Sequence, residues 1–331
     1  MKHLKWGLIA AGRIAGRFAN GLSTIPDQAT ALAVGSRDID KAKKFADEHR
    51  IPRAYGSYEE LLADKDVDAV YIATPNSLHA EWSIKAAKAG KHVLCEKPVT
   101  ANAREFQKVL RVIKKSDVFF MEAFMYRCHP QWKRVREIID AGAIGEVRVL
   151  ESSFSFNMGL QLENIRMSNP LAGGALMDVG CYCVSFCRLI ADAEPVEAKA
   201  VAHIGKEARV DYQTTGVLGF KSGIVAHFAC ATQCGTPSLA NIYGSKGSIV
   251  VTNPWFPSDE NAKLIVNAGG KSETIEVKHG LDLYANEALT VAKHLRARQA
   301  PRPAMSWDDS LGQVKTIDRL RADMGLKFDC E

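Results

Sequence analysis

From residue 4 to about residue 121, short apolar runs alternate with stretches whose apolar positions recur every three or four residues. The runs Leu4 to Ala10, Thr30 to Ser36, Asp68 to Ala73, His92 to Cys95 and Val118 to Met121 predict strands. Between them, Ile14 to Leu22, Ile39 to His49, Tyr58 to Ala63, Ser77 to Ala89 and Ala101 to Lys114 predict helices. Strands that are apolar on both faces and separated by helices require a parallel sheet covered on two sides. The first part of the chain is therefore an α/β, doubly wound parallel sheet.

Past Tyr126 the rhythm changes to longer segments with period-two alternation. Helices over Pro130 to Ala141 and Gly174 to Ile190 flank β segments at Val147 to Phe156, Val196 to Ile204, Thr214 to Phe220 and Gly223 to Thr232. Further β segments follow at Leu239 to Tyr243, Ser248 to Val251, Lys263 to Asn267 and Glu273 to Val277. The turns Gly244 to Gly247 and Gly269-Gly270 predict hairpins. This pattern predicts a C-terminal α+β domain with a large open, mostly antiparallel sheet and helices on one face. Helices over Leu283 to Arg298 and Trp307 to Met324 close the chain. The change of pattern sets a boundary near residue 122, giving domains 1–122 and 123–331, and 331 residues suit two domains at roughly 150 residues each.

Hydrophobic content of 47% and charged content of 24% are globular values and exclude disorder, collagen and coiled coil. The 43 Lys and Arg exceed the 38 Asp and Glu by 5, but they lie in singles and doublets such as Lys114-Lys115. Without a run of like charge no nucleic-acid partner is expected, and an anionic small ligand accounts for the excess. No stretch approaches the roughly 18 uninterrupted apolar residues of a membrane span. Met1-Lys2-His3 followed by Leu4 to Ala11 has the outline of a leader, but Lys5 interrupts it and Arg13 ends it, so it reads as a strand. Eight cysteines in such a chain suit reduced thiols in the cytoplasm. Cys181-x-Cys183-x-x-x-Cys187 invites a zinc reading, yet on a helix Cys181 and Cys183 point about 200° apart, which favours buried structural thiols. The nine histidines form no metal triad by spacing, and no metal is expected.

The first predicted strand runs into Gly7-Leu8-Ile9-Ala10-Ala11-Gly12-Arg13-Ile14-Ala15. Ala10, Gly12 and Ala15 occupy the three positions of the Rossmann fingerprint G-x-G-x-x-G/A, with alanine in place of the first glycine. The fingerprint follows the first strand and opens the first helix, which is the context that gives it meaning. A tight turn without a ligand is the competing reading. Arg13 and Ile14 begin the helix that would face the pyrophosphate. About 20 residues on, a carboxylate would select NAD through its ribose hydroxyl. Here Val34-Gly35-Ser36-Arg37-Asp38 places Ser36 at that position and Arg37 after it. A small hydroxyl and a guanidinium fork suit a 2′-phosphate, so NADP is favoured over NAD. Asp38 is also well placed to cap the next helix.

Two further strands end in polar turns, Ala73-Thr74-Pro75-Asn76-Ser77-Leu78-His79 and Cys95-Glu96-Lys97-Pro98. Ligands bind outside the carboxyl ends of such strands, so Thr74, Pro75, Asn76, His79, Glu96 and Lys97 are expected around the cofactor. For His79, capping or packing competes with cofactor contact. Through Glu96-Lys97-Pro98 the sequence resembles the Gfo/Idh/MocA family of NAD(P)-dependent oxidoreductases over essentially its whole length. Within it the chain is similar to the dihydrodiol dehydrogenase and NADP-dependent D-xylose 1-dehydrogenase branch. That likeness is carried by Ala54-Tyr55-Gly56-Ser57-Tyr58-Glu59-Glu60-Leu61, Met121-Glu122-Ala123 and Gly173-Gly174-Ala175-Leu176-Met177-Asp178-Val179-Gly180-Cys181-Tyr182-Cys183.

The resemblance implies that Lys97 is a catalytic lysine beside the nicotinamide, where an ammonium stabilises a developing alkoxide or lowers a neighbour's pKa. Most of the family carries Asp-x-Gly-x-His where this chain reads Asp178-Val179-Gly180-Cys181-Tyr182, so a tyrosine replaces the histidine. Four residues apart on a helix, Asp178 and Tyr182 share one face. Tyr182 is the candidate general acid/base, and Asp178 would orient the substrate hydroxyl; a core tyrosine with a helix-terminal carboxylate is the alternative. Glu122, Phe124 and Arg127 either line the substrate cleft or include an ordinary ion pair. Trp255 and Phe256 form either an apolar substrate wall or a subunit contact. The expected activity is reversible hydride transfer between NADP(H) and a hydroxyl-bearing carbon of a sugar or cyclic trans-diol. Competing readings are a reductase of a ketosugar such as 1,5-anhydrofructose, and a non-catalytic NADP-binding sensor or scaffold. The bare face of the second sheet implies a homodimer.

Overall fold

A computed structural model describes residues 2–331; Met1, the first residue of the segment weighed above as a leader, lies outside the described residues. The first sheet is built from β1 (Leu4–Ile9), β2 (Ala29–Gly35), β3 (Arg53–Tyr55), β4 (Ala69–Ile72), β5 (His92–Glu96) and β6 (Phe120–Ala123). The connecting helices are α1 (Arg13–Ser23), α2 (Ile39–His49), α3 (Tyr58–Ala63), α4 (His79–Lys88) and α5 (Ala103–Lys115). All six strands are parallel in the order β3-β2-β1-β4-β5-β6, so the winding reverses between β1 and β4. Ile9 pairs with Ile72, Ile72 with Cys95 and Cys95 with Glu122, so the strands end in step and their following turns share one edge. That edge, at the switch point, is where open α/β sheets bind ligands.

The helices form where the expected apolar stripe and cap coincide. In α5, Phe106, Val109, Leu110 and Ile113 are buried at helical spacing, and the Asn102 side chain accepts the Glu105 N–H. The short β3 was not expected, because Arg53-Ala54-Tyr55 has no apolar run. It survives as an edge strand through its side chains, with Arg53 donating to Asp64 and Asp66 and the Tyr55 hydroxyl donating to Asp64.

The second sheet follows α6 (Gln131–Asp140). Its strands are β7 (Val147–Ser155), then, beyond α7 (Cys181–Ala191), β8 (Glu197–Ile204), β9 (Asp211–Gly219), β10 (Val225–Ala231), β11 (Leu239–Gly244), β12 (Gly247–Val251), β13 (Lys263–Ala268) and β14 (Lys271–Glu276). The eight run in the order β14-β13-β12-β11-β7-β10-β9-β8, antiparallel except where β7 pairs with β10. Gly269 and Gly270 both adopt positive φ, as the tight β13–β14 turn requires. One face packs on α7. The other carries Val201, Val217 and Val225, which are 79%, 51% and 54% exposed. The fold class read from the pattern, a parallel doubly wound sheet plus an open, mostly antiparallel one, therefore holds.

Two helices end the chain, α8 (Leu283–His294) and α9 (Trp307–Asp323). The compact units are not the two sides of a cut at residue 122: one comprises 1–128 and 281–311, the other 129–280 and 312–331. The reason is that α8 returns to pack on α1. At their crossing a Cβ on Gly21 would lie 2.9 Å from the Ala285 nitrogen, so only glycine admits the helix. Periodicity marks such a helix but not the surface it meets. The segment Asn169–Ala191 has the length and apolarity of a membrane span, contrary to the sequence expectation, but most of it is buried in the core of the second unit.

Candidate active site

After β1 the chain turns at Ala10, whose φ of 85° lies in the left-handed region. A side chain there costs about 1–2 kcal/mol, which is why the fingerprint prefers glycine. Gly12 is the N-cap of α1 and contributes no side-chain acceptor, leaving the first-turn N–H groups of Arg13 and Ile14 for an anion. A Cβ on Gly12 would meet no heavy atom within 4 Å, so the turn opens onto free space of the kind a pyrophosphate requires. At the end of β2, Ser36 is buried and its Oγ accepts the Asp38 N–H at 3.3 Å. The Asp38 side chain accepts the N–H groups of Asp40 and Lys41, which fixes it as the cap of α2. Arg37 is exposed and interacts with the Tyr58 hydroxyl, whose pKa burial raises and Arg37 opposes.

The turns after β4 and β5 lie along the same edge. Thr74 is buried, and its Oγ1 has no hydrogen-bond partner among the described residues. Pro75 precedes a 3-10 turn over Asn76–Leu78 that leads into α4. His79 does not face open space. Its Nδ1 lies 2.8 Å from the Pro98 oxygen and its Nε2 2.8 Å from the Thr74 oxygen, so the ring staples the two turns together. Two acceptors would suit a doubly protonated ring. Burial instead lowers its pKa, and the Lys97 charge acts in the same direction, so ionising the ring would cost more than one hydrogen bond returns.

Glu96 ends β5 with its side chain buried. Its Oε1 accepts a short hydrogen bond from the Tyr71 hydroxyl, and its Oε2 accepts the Lys97 backbone N–H at 3.2 Å. Lys97 follows, half-buried, and the Lys97–Pro98 peptide is cis. Below this turn Glu122 accepts the Val99 N–H at 2.9 Å. Glu122, Phe124 and Arg127 are all buried, and the contacts they make here are structural ones. Glu122 holds the turn from beneath, and Phe124 packs edge-on against Tyr126 at 6.0 Å. Arg127 is 0% exposed and donates to Asp309 at 2.5 Å. A buried guanidinium needs such a carboxylate, and the carboxylate came from a residue 182 positions away that no local pattern marks.

In the second unit the chain enters α7 through a π turn over Leu176–Gly180 rather than a continuous α-helix. Such turns concentrate at functional sites because they re-aim side chains. Asp178 lies on the π turn and Tyr182 in the first turn of α7. Asp211, buried on β9, accepts the Leu176 N–H at 2.7 Å and the Thr214 hydroxyl at 2.6 Å, pinning the start of the π turn. Asp178 accepts from Arg166 Nε at 2.5 Å. The Tyr182 ring is enclosed by Phe154 at 5.2 Å and Trp255 at 5.8 Å, both edge-on. Trp255 is itself anchored, donating to the Ser153 oxygen at 3.0 Å, while Phe256 is partly exposed beside Phe154. Trp255 is buried beside Tyr182, which leaves it little surface for the subunit contact considered for it.

Arg166 and Asp211 escaped the sequence reading. Arg166 sits in a polar loop whose partner lies 12 residues on, outside any helical spacing, and a lone aspartate at a strand start carries no signal.

Residues 4–124 match the model described as oxidoreductase family, NAD-binding Rossmann fold, and residues 132–250 match the GFO/IDH/MocA C-terminal domain. The chain is 36% identical over 334 residues to trans-1,2-dihydrobenzene-1,2-diol dehydrogenase of Mus musculus, covering 98% of both proteins. It is 38% identical over 292 residues to D-xylose 1-dehydrogenase (NADP(+)) 2 of Haloferax volcanii, covering 88% of both. The structure of KijD10, a 3-ketoreductase from Actinomadura kijaniata in complex with NADP and TDP-benzene, superposes with a TM-score of 0.89. Sequence identity to it is 29%, with 97% of this chain and 98% of that one covered. With family models matched in both halves of the chain and relatives that span nearly all of it, the protein belongs to the Gfo/Idh/MocA family of oxidoreductases.

Proposed function

We propose that this protein is an NADP-dependent dehydrogenase that interconverts a hydroxyl-bearing carbon of a sugar or cyclic trans-diol with its carbonyl form. The observation that carries this reading is the shared sheet edge on which the open Gly12 turn, the unsatisfied Thr74 hydroxyl and Lys97 all stand. The names of the mouse and Haloferax relatives point to the same substrate classes. Gly12, Arg13 and Ile14 would hold the pyrophosphate, with Ala10 shaping the turn. Ser36 and Arg37 would hold the 2′-phosphate, and Thr74, Pro75, Asn76, Glu96 and Lys97 the nicotinamide end. When bound, the cofactor supplies a hydride acceptor or donor. The Lys97 ammonium stabilises charge on the substrate oxygen, the Tyr182 phenol exchanges its proton, and Asp178, steadied by Arg166, orients its hydroxyl. His79 acts at one remove by keeping the two cofactor turns in register.

The test is nicotinamide absorbance with purified protein, NADP and a panel of aldoses and trans-diols. Reduction of NADP with a member of the panel is expected; measurable NADPH binding with no turnover on any member, in either direction, would favour a sensor instead. Cofactor choice has its own check. Arg37→Glu removes a charged hydrogen bond worth about 1.5–3 kcal/mol, so the Kd for NADP should rise about ten- to a hundredfold while that for NAD stays put. Equal loss for both cofactors would remove Arg37 from the phosphate site.

We further propose a cytoplasmic homodimer. Its support is the bare valine-bearing face of the second sheet, since apolar area of this kind is seldom left in water, together with eight free thiols. Light scattering at micromolar concentration should give twice the chain mass, and Val217→Glu should halve it; a wild-type monomer would contradict the dimer.

A further inference from the structure

Helix α8 carries Glu287 into the interior of the first unit, where it is 0% exposed and neither carboxyl oxygen has a hydrogen-bond partner among the described residues. The groups that act on it come from several elements: Tyr71 on β4, Glu96 at the end of β5, Tyr284 and Asp282 from the start of its own helix, and Cys128 before α6. Two cations reach this set: Arg17 on α1 interacts with the Tyr284 hydroxyl, and Arg127 acts on the Cys128 thiol. Two carboxyl groups so placed cannot both ionise, because each loses its water and repels the other.

The hydrogen bonds decide which one keeps the charge. Glu96 receives the Tyr71 hydroxyl on one oxygen and the Lys97 N–H on the other. Tyr71 is fixed to deliver that bond, with its ring stacked on Phe18 at 4.1 Å and Phe18 held edge-on by Trp6 at 5.1 Å. Glu287 has no comparable donor. We propose that Glu96 and Glu287 hold one proton between them and that it resides on Glu287, leaving Glu96 ionised beside Lys97 as a positioning residue that keeps the lysine charged. The directions of titration agree: burial, then Glu96, pushes the Glu287 carboxyl well above the usual range, and burial, then Glu96, does the same to the Tyr71 phenol. The pair titrates as a unit. Its catalytic consequence rests on the role proposed above for Lys97, whereas the location of the proton does not.

Isotope-edited infrared spectroscopy of protein labelled with carbon-13 glutamate reads the proton directly. A protonated-carboxyl band is expected in the wild type at neutral pH, absent from Glu287→Gln and present in Glu96→Gln. No such band in the wild type, or a band that survives in Glu287→Gln and vanishes in Glu96→Gln, would overturn the assignment. The pH profile of kcat then tests positioning. In Glu96→Gln the alkaline limb should move down by about one unit, because the ammonium loses its carboxylate neighbour, and in Glu287→Gln it should stay in place. A limb unmoved in Glu96→Gln would remove the positioning role, even with the band as expected. Should the wild type turn over nothing, the infrared result still stands or falls alone, which separates this proposal from the assigned reaction.

Discussion

Lys97→Met should lower kcat about a hundred- to a thousandfold while the Kd for NADPH changes by less than about tenfold. The size follows from what the ammonium does. In hydride removal from a carbinol the oxygen loses its proton, and in the reverse direction a carbonyl oxygen gains charge. On the role proposed for it, the half-buried Lys97 cation would meet that charge, and one such electrostatic donor is worth about 2.7–4 kcal/mol. Methionine keeps the length and apolar stem of the side chain, so the turn between Glu96 and Pro98 retains its packing. The Glu96 carboxylate still accepts the backbone N–H of residue 97, because that bond does not involve the side chain. Stopped-flow single-turnover rates separate the chemical step from product release. A variant with wild-type single-turnover rate would show that Lys97 is structural.

Tyr182→Phe should cost about a hundred- to ten-thousandfold in kcat, the range for loss of a positioned acid/base, with substrate affinity altered only slightly. The substitution removes one oxygen from a ring already caged by Phe154 and Trp255, so shape and burial are conserved. On the role proposed for Tyr182, what disappears is the route for the substrate proton. The limb of the pH profile that reports the phenol should vanish with it, and thermal stability should change little. Asp178→Asn offers the contrasting outcome: it leaves the phenol in place but weakens the Arg166 contact, so KM should rise more than kcat falls. If Tyr182→Phe retained wild-type turnover, proton transfer would have to be reassigned.

Where chain neighbours and structural neighbours coincide, the sequence was informative. Strand ends are such places: Gly12, Ser36, Thr74 and Lys97 could be grouped from the order of strands alone, because parallel strands ending in step bring their turns to one edge. Ala10 was visible as a departure from the fingerprint, though only the backbone shows that the alanine takes the strained conformation a glycine would have taken freely. The Asp178–Tyr182 spacing was read as one helical turn, whereas a π turn intervenes, its start held by the Leu176 N–H donating to distant Asp211. Local propensity has no term for that bond. For Arg127 and Glu122 the sequence left two readings open for a related reason: the carboxylate that meets Arg127 is Asp309, which enters from the far end of the chain and which no local pattern marks.

The docking of α8 on the Gly21 face of α1 bears on how the protein is made. The nucleotide-binding unit is assembled from two separate pieces of sequence, and all of 129–280 emerges from the ribosome before the second piece does. Its parallel sheet therefore waits, with the flank of α1 uncovered, until the chain is nearly complete, a period in which chaperone binding or premature truncation would act. A message cut after residue 280 yields the whole phosphate-binding turn yet not the helix that covers the flank of α1 behind it.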